Sequence, residues 1–556
     1  MSPYAQVPQS PDPDHDHGPD LEPQAQSRNA SASLRIYWLA AIVCCGGLLF
    51  GYDSGVIGGV LIFDSFRSSF QYTPRDQTSV SAIAVGIQQA GALVGCLLIW
   101  PLTTRHGRRR AMMLCSLIFC AGVLFEIINS RSLLVFYIGR VICGLGVGGA
   151  ATVSPIYLAE MSPKHLRGRL GSGYQFTFTI GIFVSYWVDY ALQFRDPTAL
   201  QWQIPLALQL IPGIAMGAGM MTLNESVRWL LDRGQTRDAW ESLIWVRGSS
   251  GPDVREEFAE MKRAVEADTD ATADFHPREL LHGPNLHRVL LAVSIFLAQQ
   301  ATGATAMAYF GPQFFGLLVG DTHTESESAS THSLPLLLTG IFGALKVLSC
   351  LVFIIFVADR FGRKPLLTFG ALGMAICMIS TSLFLRLYNS YTEDHSSTTT
   401  TTLSAPKILT ILLIYTSITS YNLSWGPLPW PLAAELFPTR IRSPGVALGV
   451  ASQWLSNFAW SFATPYILAG LGWATFLLFG ILDLGIAGFV VGLLPETGGK
   501  TLEEIEALFE GGIRRGGSGR AGDDGERERL VGGLGGGSED DEDGKRGNDT
   551  IQGQQS

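Results

Sequence analysis

"GGLLFGYDSGVIGGV", residues Gly46 to Val60, has an aspartate in the middle of a long apolar run and six glycines around it. An ionised carboxylate in hydrocarbon costs several kcal/mol, so intramembrane acids are rare and usually functional. Asp53 is therefore expected to have either a partner or a proton. The glycines predict a helix that approaches its neighbours closely, as small residues do where membrane helices pack.

Apolar runs of this kind recur along nearly the whole chain, which has 556 residues, 47% of them hydrophobic and 16% charged. A run of about 18 apolar residues can cross a bilayer as a helix. We predict an all-α membrane protein with twelve transmembrane helices in two pseudo-symmetric six-helix bundles. The predicted spans, numbered 1 to 12 in chain order, are 37–62, 79–103, 111–129, 133–158, 171–192, 202–222, 289–317, 334–358, 365–387, 407–433, 444–469 and 472–494.

Polar segments divide the chain into predicted domains. These are a disordered N-terminal tail at 1–35, a first bundle at 36–222, linker helices at 223–288, a second bundle at 289–494, a short helix at 495–510 and a disordered tail at 511–556. The linker is assigned to helices because its apolar residues recur at helical spacing. The last segment is Gly-rich and of mixed charge, a composition that cannot bury a core.

Basic residues in short loops predict the orientation, because such loops stay on the cytoplasmic side. The loops after spans 2, 4, 8 and 10 carry twelve Lys and Arg residues, whereas those on the other side carry six. Both termini and the linker are therefore predicted to be cytoplasmic. We expect a monomer that crosses the plasma membrane many times.

Several function classes have no signature in the sequence. All eight cysteines fall inside predicted spans without metal-ligand spacing, so no metal site is expected. No nucleophile–base arrangement or phosphate-binding loop indicates an enzyme or a cofactor site. The chain also lacks the basic patches of nucleic-acid binders. The expected partners are the lipid bilayer and a small molecule.

The two halves repeat the same loop chemistry. The repeated stretches are "RHGRRR" (105–110) after span 2 and "DRFGRK" (359–364) after span 8, then "PIYLAEMSPKHLRGR" (155–169) after span 4 and "PLAAELFPTRIR" (431–442) after span 10. Glu160 and Glu435 can pair with arginines of these loops. We expect such ion pairs to latch the two halves together in an outward-open state. The alternative is that the arginines only set the orientation.

These stretches also carry a resemblance to a known family. With "GRVICGLGVG" (139–148), "NESVRWL" (224–230), "GPLPWPLAAELFP" (426–438) and "PETGGKTLEEI" (495–505), they are similar to the sugar porters of the major facilitator superfamily. The resemblance covers roughly residues 36–508 and points to the fungal hexose and quinate branch. It implies transport of a sugar or related polyol by alternating access, with a proton gradient as driving force and no cofactor.

The resemblance also implies a cytoplasmic gate of charged residues. Its candidate members are Arg105, Arg109, Glu160, Arg167, Glu225, Arg228, Asp359, Arg360, Arg363, Glu435, Arg442 and Glu496. The sequence departs from the family at Thr104, where Asp is usual, so the first-half latch is expected to be weaker or to depend on Glu160 and Glu225.

A polyol site needs neutral donors and acceptors together with flat apolar faces, which amides and aromatic rings supply. By resemblance, the substrate-binding candidates are Phe50, Gln175, Gln299, Gln300, Thr305, Tyr309, Trp430, Gln453 and Trp454. The alternative is that each Gln only bonds one helix to another. Most family members have Asn where Thr305 stands, which allows a different ligand shape. Lys346, inside span 8, either pairs structurally or favours an anionic polyol such as quinate.

Arg140 in span 4 is the candidate partner of Asp53. In proton-coupled members of the resembled family these two positions form a titrating pair, which implies substrate/H⁺ symport. A motion that changed their separation would load or release a proton. The alternatives are a permanent ion pair in a facilitative carrier, and a non-transporting sugar sensor on the same scaffold. Drug/H⁺ antiport is disfavoured by the amide-rich spans.

Overall fold

The computed structural model describes residues 22–163, 166–272, 276–319, 333–358, 360–394 and 405–498. Their regular structure is helical, and the helices occupy the places of the predicted spans, whose numbers we keep. Spans 1 to 6 are Glu22–Val60, Gln77–His106, Arg108–Ile127, Leu133–Met161, Arg167–Leu192, and Leu200–Leu208 with Leu210–Met221. Spans 7 to 12 are Gly283–Ala301 with Ala304–Val319, Ser333–Val352 extended by the π-helical turn Phe353–Val357, Arg363–Asp394, Ala405–Asn422 with Pro429–Glu435, Thr439–Leu471 and Ala474–Leu493.

Short helices fill the connections. They are Asp64–Phe70 and Pro74–Asp76 between spans 1 and 2, then Val227–Asp232, Thr236–Arg247, Pro252–Thr272 and Pro277–Leu281 in the linker. Leu230, Ala239 and Leu243 are buried, as the helical spacing of the linker requires. Arg247 Nη1 donates to the Met161 carbonyl at 2.9 Å and thereby attaches the linker to the end of span 4.

The ends of the chain differ from the expectation in one respect. The helix of span 1 begins at Glu22, so the prediction of a disordered tail over 1–35 is wrong for residues 22–35. These residues are rich in Ala, Gln and Arg, which favour helix, and Pro23 stands in the first turn, where proline is tolerated. Residues 1–21 and 499–556 lie outside the described residues, and so does most of the predicted helix at 495–510.

Spans 5, 10 and 11 are less apolar than the others. Within the described residues, nine helices are long and apolar enough to cross a membrane by length and composition, and these three spans are not among them. They carry four of the predicted substrate-binding side chains: Gln175, Trp430, Gln453 and Trp454. Polar side chains in such spans belong on the protein-facing side, because hydrocarbon cannot satisfy them.

Two spans that the sequence predicts as continuous are broken near their middle. Span 7 is interrupted at Thr302 and Gly303, where Gly303 adopts a φ of 77°. Such a conformation is easy for glycine and strained for other residues. Span 10 is interrupted over residues 423–428, where Pro427 supplies no backbone N–H. Average hydropathy does not detect the break in span 7, because the whole stretch Asn285–Leu318 is apolar enough to cross a membrane as one helix.

The glycines of the opening stretch let span 1 approach span 5. Gly47, Gly51, Gly55 and Gly59 recur every four residues and therefore share one face of the helix. A Cβ atom at Gly47 would lie 2.6 Å from the Tyr174 carbonyl oxygen, and one at Gly51 would overlap the Phe178 carbonyl. We call this face the glycine ridge. The close packing predicted for these residues is confirmed.

The two halves meet through spans 1 and 7, 2 and 11, and 5 and 8. Tyr186 of span 5 donates its hydroxyl to the Ala308 carbonyl of span 7 at 2.5 Å. Gly340 of span 8 lies against Trp187, near the end of span 5 that points away from the linker. These contacts hold the halves together on the side opposite to the linker.

The glycine ridge predicts a large effect of a single methyl group. Gly51→Ala is expected to destabilise the fold by about 1–3 kcal/mol, because the new methyl must push span 5 away. The matched control is Gly488→Ala in span 12, where an added Cβ meets no heavy atom within 4 Å. Thermal unfolding of the purified proteins in detergent measures both. Equal midpoints for the two variants would contradict the ridge.

Candidate functional site

The breaks in spans 7 and 10 face each other through Gln299. This buried side chain precedes the break in span 7, and its Nε2 donates to the carbonyls of Trp425 (2.9 Å) and Gly426 (3.2 Å). Both carbonyls belong to the interrupted part of span 10, where the helix no longer uses them. Broken helices that expose such groups are typical of binding sites in transporters.

Aromatic rings from both halves meet beside this point. Gln453 Nε2 of span 11 donates to Gln299 Oε1 at 3.4 Å, and Trp454 is the next residue along. The ring of Phe50 lies 5.4 Å from that of Trp454 and 4.8 Å from that of Phe178. The structure therefore brings spans 1, 5, 7, 10 and 11 together around amide groups and flat aromatic faces.

Tyr309 connects this set to span 1. Asn457 Nδ2 donates to Tyr309 Oη at 3.3 Å, and the same phenol lies within hydrogen-bonding reach of Ser54, next to Asp53. The sequence analysis missed Asn457, although Gln453, Asn457 and Ser461 recur every four residues and so share one helix face. It also missed Tyr421, which lies against Thr305 and Gln299.

Three buried polar atoms of this set have no hydrogen-bond partner within the described part of the chain: Gln300 Oε1, Gln453 Oε1 and Trp454 Nε1. Buried polar groups nearly always have partners, so unpaired ones clustered at helix breaks are suited to a ligand rich in hydroxyl groups. We call Phe50, Gln299, Gln300, Thr305, Tyr309, Gln453, Trp454 and Asn457 the amide–aromatic cluster.

Two predicted members are less closely tied to it. The Trp430 ring packs at 5.4 Å on the ring of Phe296, which lies about one helical turn before Gln299 in span 7. Gln175 is half-buried on span 5. No hydrogen bond of the described residues joins Gln175 or Trp430 to the cluster, so their roles stay predictions.

The predicted pair of Asp53 and Arg140 is in contact. Arg140 Nη1 lies 2.9 Å from Asp53 Oδ1, and the two side chains are 0% and 1% exposed. Gln88 of span 2 bridges them, since its Nε2 donates to Asp53 Oδ2 and its Oε1 accepts from Arg140. Arg140 Nε donates to the Ala84 carbonyl at 3.0 Å. The guanidinium is thus held on several sides, whereas Asp53 is held by two side chains.

A second carboxylate contacts the same guanidinium. Glu126 of span 3 is fully buried, and its Oε1 lies 3.5 Å from Arg140 Nη1. Neither carboxylate oxygen of Glu126 has a hydrogen bond of good geometry among the described residues. The sequence analysis missed Glu126, yet an acid in the run "AGVLFEII" (121–128) gives the same signal that singled out Asp53.

Lys346 is also buried, at 4% exposure, on span 8. Its ammonium lies 5.9 Å from the centre of the Phe342 ring, a distance at which the ring attracts a cation. Gly343, on the same helix, packs against Tyr186 of span 5, so Lys346 lies in the region where the two halves meet.

On the linker side, the first half has a two-point ion pair. Arg108 Nε and Nη2 lie 3.1 Å and 3.0 Å from the two oxygens of Glu160. Glu225 does not pair with a guanidinium there. It accepts the backbone N–H groups of Arg108 at 2.8 Å and of Arg109 at 3.0 Å, and so caps the start of span 3. Arg109 Nε donates to the Met220 carbonyl at the end of span 6.

The second half repeats this arrangement. Arg363 Nη2 lies 3.5 Å from Glu435 Oε1, as Arg108 lies near Glu160. Glu496 accepts the backbone N–H groups of Arg363 at 2.9 Å and of Lys364 at 3.0 Å, and so caps the start of span 9. We call these two arrangements the linker-side corners.

These ion pairs do not join the two halves here, where the halves meet on the side opposite to the linker, so the latch expected for an outward-open state stays a prediction. Each pair joins a loop and a span end of one half, because the repeat unit contains both partners. The other predicted gate residues differ in their surroundings: Arg105, Arg167 and Arg360 are exposed, Arg228 pairs with Asp268 in the linker, Arg442 donates to the Phe437 carbonyl at 3.2 Å, and Asp359 lies outside the described residues.

Comparison with known proteins shows the family to which the chain belongs. The sequence matches the family described as "Sugar (and other) transporter" over residues 39–509. The chain belongs to the sugar transporter family. It is 33% identical to the "Quinate permease" of Emericella nidulans over 485 residues, which cover 86% of this chain and 89% of that protein.

Solved structures of the sugar transporter family have the same fold. The XylE proton:xylose symporter bound to 6-bromo-6-deoxy-D-glucose matches with a TM-score of 0.67 at 29% identity, covering 86% of this chain and 99% of that one. The inward open conformation of the xylose transporter XylE from E. coli matches with a TM-score of 0.68 at 27% identity, covering 85% and 99%. The predicted major facilitator fold is confirmed, and the chain is a membrane transporter and not an enzyme.

The linker-side corners predict which arginine of this sugar transporter matters for stability. Arg108→Ala leaves Glu160, which is 10% exposed, without its guanidinium and is expected to destabilise the fold by about 2 kcal/mol. Arg105→Ala, at an exposed side chain three residues earlier, is the control and is expected to stay within about 0.5 kcal/mol of wild type. Thermal unfolding in detergent compares them. A larger loss for Arg105→Ala than for Arg108→Ala would contradict the assignment.

Proposed function

We propose that the chain carries a sugar or related polyol across the membrane by alternating access, coupled to the entry of a proton. The observation that carries this proposal is the position of Asp53. It is a buried acid paired with Arg140 and next to Ser54, which lies within reach of Tyr309 in the amide–aromatic cluster. A proton site beside a polyol site is the arrangement that symport requires.

Substrate binding is assigned to the amide–aromatic cluster. Hydroxyl groups of a polyol can both donate and accept, so they match the unpaired oxygens of Gln300 and Gln453 and the unpaired N–H of Trp454. The rings of Phe50 and Trp454 offer flat surfaces to the C–H face of the ligand. Because Phe50 and Trp454 belong to different halves, a bound ligand favours the arrangement in which the halves approach each other.

Proton coupling is assigned to Asp53. While Asp53 is ionised, Arg140 and Gln88 hold it by charge and by hydrogen bonds. Protonation removes its charge and weakens its attraction to the guanidinium, which frees span 1 to shift with span 7. A shift that exposes Asp53 to the other side releases the proton. The hydrogen ion thus moves in the same direction as the substrate.

The orientation and location are part of the proposal. The excess of basic residues in the loops after spans 2, 4, 8 and 10 supports a cytoplasmic position for both termini, for the linker and for the linker-side corners. We assign the protein to the plasma membrane as a monomer. In this orientation, the contacts between the halves on the side opposite to the linker close the extracellular entrance.

Replacing Asp53 tests the coupling. Asp53→Asn keeps the size of the side chain and removes its charge, so it is expected to abolish uphill accumulation while sparing exchange of labelled for unlabelled substrate. Purified protein in proteoliposomes with an inward proton gradient gives both readings, with labelled xylose, glucose and quinate as probes.

Asp483→Asn is the matched control, because Asp483 is a buried acid of span 12 that lies outside the amide–aromatic cluster. It is expected to keep uphill accumulation. Uphill accumulation by Asp53→Asn would overturn the coupling role of Asp53, and a wild-type protein that equilibrates the probes without accumulating them would favour a facilitative carrier. A wild-type protein that carries none of the three probes would favour a sensor.

A carboxylated polyol is a second candidate substrate within the same class. Lys346 is the observation that favours it, because a buried ammonium near the junction of the halves can compensate the charge of an anionic ligand. The related protein of Emericella nidulans bears the name quinate permease, and quinate is a polyol with a carboxylate.

Substitution of Lys346 separates the two substrate types. Lys346→Met keeps the length of the apolar stem and removes the charge, so it is expected to reduce quinate uptake at least about tenfold, the loss for one good charge contact. Uptake of the neutral probes xylose and glucose by the same variant is the control. Undiminished quinate uptake, or an equal loss for all three probes, would overturn the role of Lys346 in charge recognition.

A further inference from the structure

The buried site around Arg140 holds more negative than positive charge. Its ionisable members include Arg140 at 0% exposure, Asp53 at 1% and Glu126 at 0%. No basic side chain other than Arg140 pairs with either acid among the described residues. With both acids ionised the site carries one excess negative charge, and with Asp53 protonated it is neutral. A buried net charge is costly, so Glu126 changes which state of Asp53 is favoured.

We propose that Glu126 is a second counter-ion of Arg140, which keeps the guanidinium compensated when Asp53 takes up its proton. Glu126 is thus a positioning residue for proton coupling. The role in transport rests on the proposed symport, whereas the pairing with Arg140 does not. In each cycle one hydrogen ion binds a carboxylate oxygen of Asp53 from one side and leaves from it to water on the other.

The packing of spans 3 and 4 fixes Glu126 beside Arg140. A Cβ at Gly139 would lie 2.9 Å from Glu126 Cγ, and one at Gly122 would overlap the backbone of Cys143. These two glycines bring the helices together, so the distance between Glu126 and Arg140 is set inside one pair of helices. The contact of Glu126 with the guanidinium is therefore expected to persist through the cycle.

Asp53 is held differently, because span 1 also contacts the other half. Gly58 packs so closely on the Tyr309 carbonyl of span 7 that a Cβ there would overlap it. A movement of the second half therefore acts on span 1 and changes the distance from Asp53 to Arg140. Of the two acids, one is fixed to the guanidinium and the other follows the moving half.

The remaining groups that face the two acids are neutral or weakly acidic. They are Ser54 on span 1, Gln88 and the Ala84 carbonyl on span 2, Cys143 on span 4 and Tyr309 on span 7. None of these adds a positive charge that could replace Arg140. The balance between the two acids and Arg140 therefore decides the charge of the site.

The first test is the pH dependence of uptake by Glu126→Gln. In this variant, protonation of Asp53 leaves the buried guanidinium uncompensated, so the pH midpoint of uptake is expected to move to lower pH by about one unit or more. Glu126→Asp retains the charge and is expected to restore part of the shift. If Glu126 were a neutral packing residue, Gln would replace it without effect, so an unchanged midpoint overturns the proposal.

The second test measures stability and does not depend on transport. If both acids compensate Arg140, either one suffices, so Asp53→Asn and Glu126→Gln are each tolerated while the double variant lowers the unfolding midpoint by more than the sum of the single effects. If both single variants fold and the double variant does not, that outcome also supports the pairing. Additive effects overturn the pairing.

The control double-mutant cycle combines Asp53→Asn with Asp483→Asn. It is expected to be additive, because Asp483 is a buried acid in the other half. The two sets of experiments separate the proposals. Uphill accumulation by Asp53→Asn together with a non-additive stability cycle would overturn the coupling role of Asp53 and leave the pairing intact. Loss of uphill accumulation in Asp53→Asn with an additive cycle would overturn the role of Glu126 alone.

Discussion

The structure depends on one buried guanidinium that needs compensation. Arg140 is fully enclosed by spans 1 to 4, and an unpaired charge in that position would be too costly for the fold to hold. The surrounding residues compensate the guanidinium with two carboxylates, the side-chain oxygen of Gln88 and the backbone carbonyl of Ala84. The same requirement makes the region responsive, because any change in the charge of Asp53 alters the balance that keeps four helices together.

The amide–aromatic cluster meets a related constraint, which is the need to pair backbone polar groups inside a bilayer. A bilayer leaves no water for backbone groups, so helices can be interrupted only where protein or ligand replaces the missing bonds. At the break in span 10, Gln299 supplies donors to two freed carbonyls, and the break in span 7 follows three residues later. The breaks thus lie where the halves meet, and the polar atoms exposed there are the ones that a hydroxylated molecule can use.

Much of this architecture could be predicted from the sequence. Long apolar runs indicate the spans, regularly spaced glycines indicate close packing, and a single charged residue inside an apolar run stands out. The contact between Asp53 and Arg140 and the close packing of Gly51 were predictable in this way. The breaks were not, since the whole stretch Asn285–Leu318 is apolar enough on average to be one continuous span and so conceals the interruption at Gly303. The pairing of Arg108 with Glu160 and of Arg363 with Glu435 within each half was not predictable, because repeated loops reveal equivalent residues and not which copies touch. Glu126 was detectable by the argument applied to Asp53.

The caps at Glu225 and Glu496 determine which amino-acid substitutions at the linker-side corners leave the capping hydrogen bonds intact. Their donors are peptide N–H groups of residues 108, 109, 363 and 364, which every amino acid except proline supplies. Substitution of the side chain at any of these four positions, except by proline, therefore leaves the hydrogen bonds to Glu225 and Glu496 in place. Each cap therefore depends on one carboxylate, Glu225 or Glu496, and tolerates substitution of its donors, whereas the ion pair of the same corner still needs the guanidinium of Arg108 or Arg363.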